Sequence, residues 1–298
     1  MIDLEVLIKI LFQTWDFAVE VLPIFLFAVF FAAIIEEFLD PMVVEKHMTE
    51  SSLKTVGIAS FVGSLIPLCT CGMIPLAVGL RRKGASWIPL LGFLVAGTAS
   101  SVPALVMTML LGWNLTFLRL TTAIIFGVAG AFIIVQILGE KLEVGSKACD
   151  IIDYEHEHDT KSTSRWKHVL SIFWDEFNEF VPWLVVSLII AGTIGAVASP
   201  NLINSLLGGD VWYNTFFASS IGVPFYLCGG TDIPLIGALL AKGMSTGSAI
   251  AMMNAAPTVN IPAIALITKW IGKRNMIVYM FVLWLLSAII GVFVNILI

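Results

Sequence analysis

Apolar residues run through this chain in eight long segments, separated by short polar stretches. Four fall in each half: roughly 15–38, 54–80, 87–112 and 114–138, then 174–198, 211–240, 246–271 and 275–297. The first and fourth of each set are unbroken and long enough to cross about 30 Å of hydrocarbon as helices. The middle two of each set are interrupted by helix-breaking or polar residues. Pro67-Leu68-Cys69-Thr70-Cys71-Gly72 splits one and Ala96 to Pro103 the next; Pro224 to Asp232 and Asn254 to Asn260 are their second-half counterparts. Proline removes a backbone donor and displaces the chain, so each break leaves backbone groups unpaired. In lipid such groups must face protein, water or a ligand, which predicts an internal polar site where the breaks lie.

The halves are copies. Residues 15–104 reappear without a gap as 174–263, so that Trp15-Asp16, Glu20 and Pro23 return as Trp174-Asp175, Glu179 and Pro182. Cys69 and Pro75 return as Cys228 and Pro234, Lys83-Gly84 as Lys242-Gly243, and Pro103-Ala104 as Pro262-Ala263. The expected fold is an all-α integral membrane protein of two tandem, inverted repeats with broken or re-entrant helices at the centre. The first repeat takes residues 1–138, a polar linker 139–168, and the second repeat 169–298. That linker holds seven acids, five bases and three of the four histidines. If the second segment of each half dips in and returns, 13 of the 16 Lys and Arg residues share the linker's side, which makes that side cytoplasmic by the positive-inside tendency.

Composition agrees. The chain is 58% hydrophobic and 12% charged, about half the charge of a soluble domain. The net charge of −5 forms no basic face, which excludes nucleic acid as a partner; the bilayer is the expected one. The first apolar run follows Met1-Ile2-Asp3-Leu4-Glu5 and continues into Glu36-Glu37, so it is expected to be a span and not a signal peptide. The four cysteines make no disulfide framework, since three lie in apolar segments. A homo-oligomer is compatible with the sequence, and no cofactor is implied.

The candidate chemistry sits at the breaks. Cys69, Cys71 and Cys228 could converge on one cavity, a donor set suited to a soft metal or metalloid. Thr70, Ser100, Asn254, Thr258 and Asn260 offer hydroxyl and amide oxygens alongside them. Asp232, which takes the place of Met73 in the other copy, is the leading carboxylate for ion coupling. A side-chain cap on the helix that begins near Ile233 is the bland alternative. Asp16 with Glu20 and Asp175 with Glu179 each share a helix face and are further coupling candidates. Arg81-Arg82-Lys83 reads as a topology anchor. Cys149 near His156-Glu157-His158 fits no closed zinc site and reads as solvated linker.

Pro67-Leu68-Cys69-Thr70-Cys71-Gly72-Met73-Ile74-Pro75, with Gly79-Leu80-Arg81-Arg82-Lys83-Gly84-Ala85-Ser86, resembles the predicted-permease family that includes the ArsP-type organoarsenical efflux permeases. Pro224-Phe225-Tyr226-Leu227-Cys228 and Ala256-Pro257-Thr258-Val259-Asn260 match the same pattern. The resemblance implies an inner-membrane permease whose cysteines, at Cys69, Cys71 and Cys228, bind trivalent arsenicals or soft metals. One departure is Thr98-Ala99-Ser100-Ser101, where the family often has a proline-led break; it changes the lining of the expected site. The sequence thus predicts a non-enzymatic exporter of a small thiophilic solute, and it lacks a phosphate-binding Gly-Lys-Ser/Thr loop for ATP. Two alternatives stay open: a transmembrane thiol-disulfide electron carrier using Cys69 and Cys228, and a permease for a small sulfur-containing anion.

Overall fold

The computed structural model describes residues 52–68, 70–82, 84–139, 200–209, 211–223 and 230–298, with isolated positions between 12 and 30 and between 169 and 193. Among the described residues there are helices and no strand. In the first half α1 is Leu53–Leu65, α2 Thr70–Arg82, α3 Trp87–Ala99, α4 Val102–Thr108 and α5 Trp113–Leu138, with a single 3-10 turn between the last two. In the second half α6 is Pro200–Leu207, α7 Trp212–Gly222, α8 Ile233–Ala241, α9 Thr246–Thr258, α10 Ile261–Ile271 and α11 Lys273–Leu297.

Local chemistry sets these boundaries. Ser52 opens α1 by accepting a hydrogen bond from the Thr55 amide at 3.2 Å, and Ser245 opens α9 in the same way on Ser248 at 3.2 Å. Gly112 and Gly272 precede the two long helices with φ of 112° and 83°, a backbone conformation that favours glycine. The helix ends repeat across the halves. α9 begins and ends 159 residues after α3, the same offset at which the sequence repeats, and the starts of α7 and α10 follow those of α1 and α4 by the same interval.

Three described helices are long and apolar enough to cross a membrane: Trp87–Leu111, Trp113–Leu138 and Lys273–Leu297. A bent pair, Thr246–Thr258 with Ala263–Ile271, makes a fourth if it counts as one span. Their surroundings differ. Over an 18-residue stretch of each, 89% of Trp87–Leu111 is buried, against 39% of Trp113–Leu138 and 50% of Lys273–Leu297. The first therefore lies in the protein interior, while the other two each expose a face to lipid, with Trp113, Phe117, Phe281 and Phe293 pointing outward. Such an apolar rind would be adhesive in water and is neutral in hydrocarbon.

Each half is a tight sandwich. α3 packs between α1 and α5, and α9 packs between α7 and α11. Close approach is allowed by glycine at the crossings: a Cβ on Gly127 would collide with the Gly92 carbonyl and the Ala96 side chain, and one on Gly291 with the Gly247 carbonyl and Ala251. The halves then join along α5 against α11 and α3 against α9. They also cross over. α2 of the first half lies on α10 of the second, and α8 of the second lies on α4 of the first.

Candidate functional site

The two breaks occupy the zone where these crossed contacts meet. In the first half α3 ends at Ala99, Ser100 and Ser101 adopt non-helical backbone, and α4 starts with Pro103 in its first turn. The break is narrower than the sequence predicts. The bend there is small enough for Trp87–Leu111 to run as a single span instead of two separated pieces. In the second half α9 ends at Thr258, with Pro257 inside its last turn, and α10 follows Asn260. Here the axis turns by 56°.

A helix that stops leaves carbonyls without partners. At the first break Arg119, projecting from α5, takes one of them: its Nη2 donates to the Ala99 carbonyl at 3.3 Å. Its Nη1 donates to Thr108 Oγ1 at 2.9 Å, and Thr108 in turn donates to the Ala104 carbonyl at 2.6 Å. One guanidinium thus ties together the helices on both sides of the break. Across the interface, Asp232 Oδ2 lies 3.2 Å from Arg119 Nη2, with each side chain only 1% exposed. The pair is an ion pair whose one contact is poorly directed for a hydrogen bond. Arg119 Nε and both Asp232 carboxylate oxygens have no hydrogen-bond partner, and Ser100 Oγ beside Ala99 has none either.

The second break is sealed by amides and hydroxyls. Asn260 Oδ1 accepts from the Ala263 amide at 2.9 Å and caps α10, while Asn260 Nδ2 donates to the Pro257 carbonyl at 2.8 Å. Thr70 of the first half donates its hydroxyl to that same carbonyl at 2.8 Å. Thr258 donates back to the Asn254 carbonyl at 2.6 Å. The Asn254 side chain is fully buried, and neither atom of its amide has a partner.

These positions place the sequence candidates. Thr70, Ser100, Asn254, Thr258, Asn260 and Asp232 are all buried at the breaks. Thr258 and Asn260 direct their side chains at backbone, whereas Ser100 and the Asn254 amide are unspent. Cys71 lies in the first turn of α2. Cys69, Cys228, Asp16, Glu20, Asp175 and Glu179 lie outside the described residues. Among the described residues no group of three His, Cys, Asp or Glu could hold a metal ion.

One expectation is corrected. Asp232 stands at the cap position of α8 but makes no side-chain cap hydrogen bond. Its backbone, at φ −71° and ψ −25°, is already helical, whereas a side-chain cap needs extended backbone. Its carboxylate turns instead to the guanidinium. Arg81 also does more than anchor: its Cζ lies 4.8 Å from the ring centre of Trp87, and its Nη1 donates to the Ala85 carbonyl at 2.7 Å, which fixes the turn into α3.

Arg119 is the residue that sequence reasoning missed. Its signal was present, since it is the sole charged side chain between Trp113 and Leu138. A charged group inside a span is costly and marks a site.

Comparison with known proteins places the chain among membrane permeases. The model of a family described as predicted permease, of the ArsP type, matches residues 8–296. UPF0718 protein MJ0584 of Methanocaldococcus jannaschii is 26% identical over 291 residues, covering 78% of this chain and 80% of the relative. UPF0718 protein YraQ of Escherichia coli is 23% identical over 287 residues, covering 93% and 79%. A Streptococcus mutans protein named as a candidate two-component membrane permease complex subunit is 22% identical over 278 residues, covering 89% and 91%. No solved structure matches. With a family model spanning nearly its whole length over a helical, apolar framework, the chain belongs to the predicted-permease family of membrane proteins.

Proposed function

We propose that this permease is a multi-pass protein of the cell inner membrane that exports a small thiophilic solute, a trivalent organoarsenical or a soft metal ion, by alternating access between its two halves. The observation that carries the reading is the reciprocal docking at the breaks. Thr70 of the first half holds the Pro257 carbonyl of the second, and Asp232 of the second pairs with the Arg119 that holds the first break. Rocking one half against the other opens one of these junctions to each side in turn, around a site near mid-membrane.

The repeats are inverted in this reading, with the second segment of each half re-entrant. Helix lengths support it. At 1.5 Å per residue, the 13 residues of α1 reach only about 20 Å, short of the roughly 30 Å of hydrocarbon. The linker 139–168 is then cytoplasmic. Cys69, Cys71 and Cys228 bind the solute, since thiolates select soft species. Coupling to protons runs through Asp232, with the Asp16/Glu20 and Asp175/Glu179 pairs as further coupling groups.

Flux into inverted vesicles tests the proposal, with methylarsenite, Cu(I), Zn(II) and thiosulfate supplied in parallel. One soft species accumulates in wild type, and Cys69→Ser, Cys71→Ser and Cys228→Ser each lower its rate at least tenfold. Wild-type rates in all three variants would remove the thiols from the site. Dependence on Cys69 and Cys228 alone, with a bond between them that opens under reductant, would replace transport with electron transfer.

A further inference from the structure

The ion pair between the halves is built unlike a structural one. Buried arginine and carboxylate commonly form two parallel, charge-assisted hydrogen bonds. Here a single, poorly directed contact of 3.2 Å joins them in place of two parallel bonds. Nε of Arg119 and both oxygens of Asp232 lack a well-formed hydrogen bond, although buried polar groups rarely do.

The two partners are also held unequally. Arg119 is fixed by its own half, through Thr108 and the Ala99 carbonyl, whether or not Asp232 is present. Asp232 has no hydrogen bond from its side chain and sits at the end of another half's helix. A preformed cation therefore faces a carboxylate that can leave. Two further features favour an anion at this place. Ser100 Oγ, next to the carbonyl that Arg119 holds, is buried and unpartnered, and the positive end of the α8 dipole lies at Asp232.

We propose that Arg119 is the anion-binding group of this permease and Asp232 the internal counter-ion that occupies it between cycles. This site then takes a small anion with a carboxylate or tetrahedral oxyanion headgroup, a ligand additional to the thiophilic solute, which enters by displacing the Asp232 carboxylate from the guanidinium. The inference rests on the permease reading and is independent of the cysteines. Charge balance gives the coupling. Two anions cannot share one guanidinium in a low-dielectric interior, so the displaced carboxylate takes a proton as the anion binds. One anion and one proton enter together, and the site's total charge is unchanged. Among the described elements that meet Asp232 or pack on its helix, α4, α8 and α9 contain no titratable residue besides it, and Arg119 is the only one on α5.

Thermal unfolding of the purified full chain in detergent tests this, at constant ionic strength, with chloride replaced by acetate, phosphate or thiosulfate. At least one of these probes stabilises wild type. Asp232→Asn, which removes the competitor, binds that probe at least tenfold more tightly, and the affinity of wild type falls with rising pH while that of Asp232→Asn does not. The neutral double variant Arg119→Gln/Asp232→Asn loses the response. A double variant that responds like wild type overturns the proposal, as does a wild type indifferent to every probe. If Asp232→Asn does not accumulate, the comparison of wild type with the double variant decides alone. Because binding is read without flux, its failure leaves the vesicle result standing, and dead vesicles with intact anion binding would instead refute transport.

Discussion

The two breaks have nearly the same backbone but opposite chemistry. Ser100 and Val259, which correspond across the repeat, share similar dihedrals, at φ −147°, ψ 87° and φ −116°, ψ 77°. Two residues upstream the copies part. Thr98 keeps its amide in the helix and folds its hydroxyl back onto the Leu94 and Val95 carbonyls, at 2.9 and 3.0 Å. Its counterpart Pro257 has no amide hydrogen to give and wedges the last turn, and α9 with α10 bends by 56° where the first-half span runs on. The freed carbonyls are then met differently. A guanidinium serves Ala99, while an amide and a hydroxyl serve Pro257. A charge-sealed junction gives way to a competing ion, and an amide-sealed one does not. The first break is therefore the junction a competing ion can switch, and the second the one whose seal is fixed against ions.

The largest expected effect separates those roles. Arg119→Met alone leaves Asp232 buried without its cation and should cost about 3–5 kcal/mol, the usual result of breaking a buried pair from one side. Adding Asp232→Leu removes the orphaned charge and should restore most of that loss. Melting curves of the single and double variants in detergent check it. Equal damage in both would mean that Arg119 matters for its hold on Ala99 and Thr108 and not for the pair.

The fixed side should respond less. Asn260→Ala removes the α10 cap together with one of the two donors on the Pro257 carbonyl, for a loss of about 1–2 kcal/mol. Thr70 still holds that carbonyl, so the junction survives. A drop as large as that of Arg119→Met would erase the distinction between the breaks.

How much of this was legible in the sequence follows from the same contrast. Helix breaking by Pro257, Ser100 and Asn260 is a local property, so the breaks and the segments around them could be read off directly. Asp232 stood out because its counterpart is Met73. Arg119 did not, because its helix reads as an unbroken span and lies past residue 104, where the recognisable repeat ends. Its partner is 113 positions away and comes from the other half, and nothing local to either residue specifies that meeting. The cap weighed as the alternative for Asp232 is absent for a related reason: a distant cation outcompetes the helix's own amides.

The smallest effect is expected at Ser100, and it isolates function from stability. Its hydroxyl is buried with no partner, so Ser100→Ala removes a group that contributes nothing to holding the fold. The melting temperature should stay within the equivalent of about 0.5 kcal/mol, or rise, since an unsatisfied buried hydroxyl carries a desolvation cost. The Asn260 variant gives the opposite pattern, losing stability through bonds made to backbone. If the switchable break receives the anion, Ser100→Ala weakens anion binding while the fold is untouched. Unchanged affinity would confine the binding surface to the guanidinium, and a fall in stability would show that the hydroxyl has a partner within the fold.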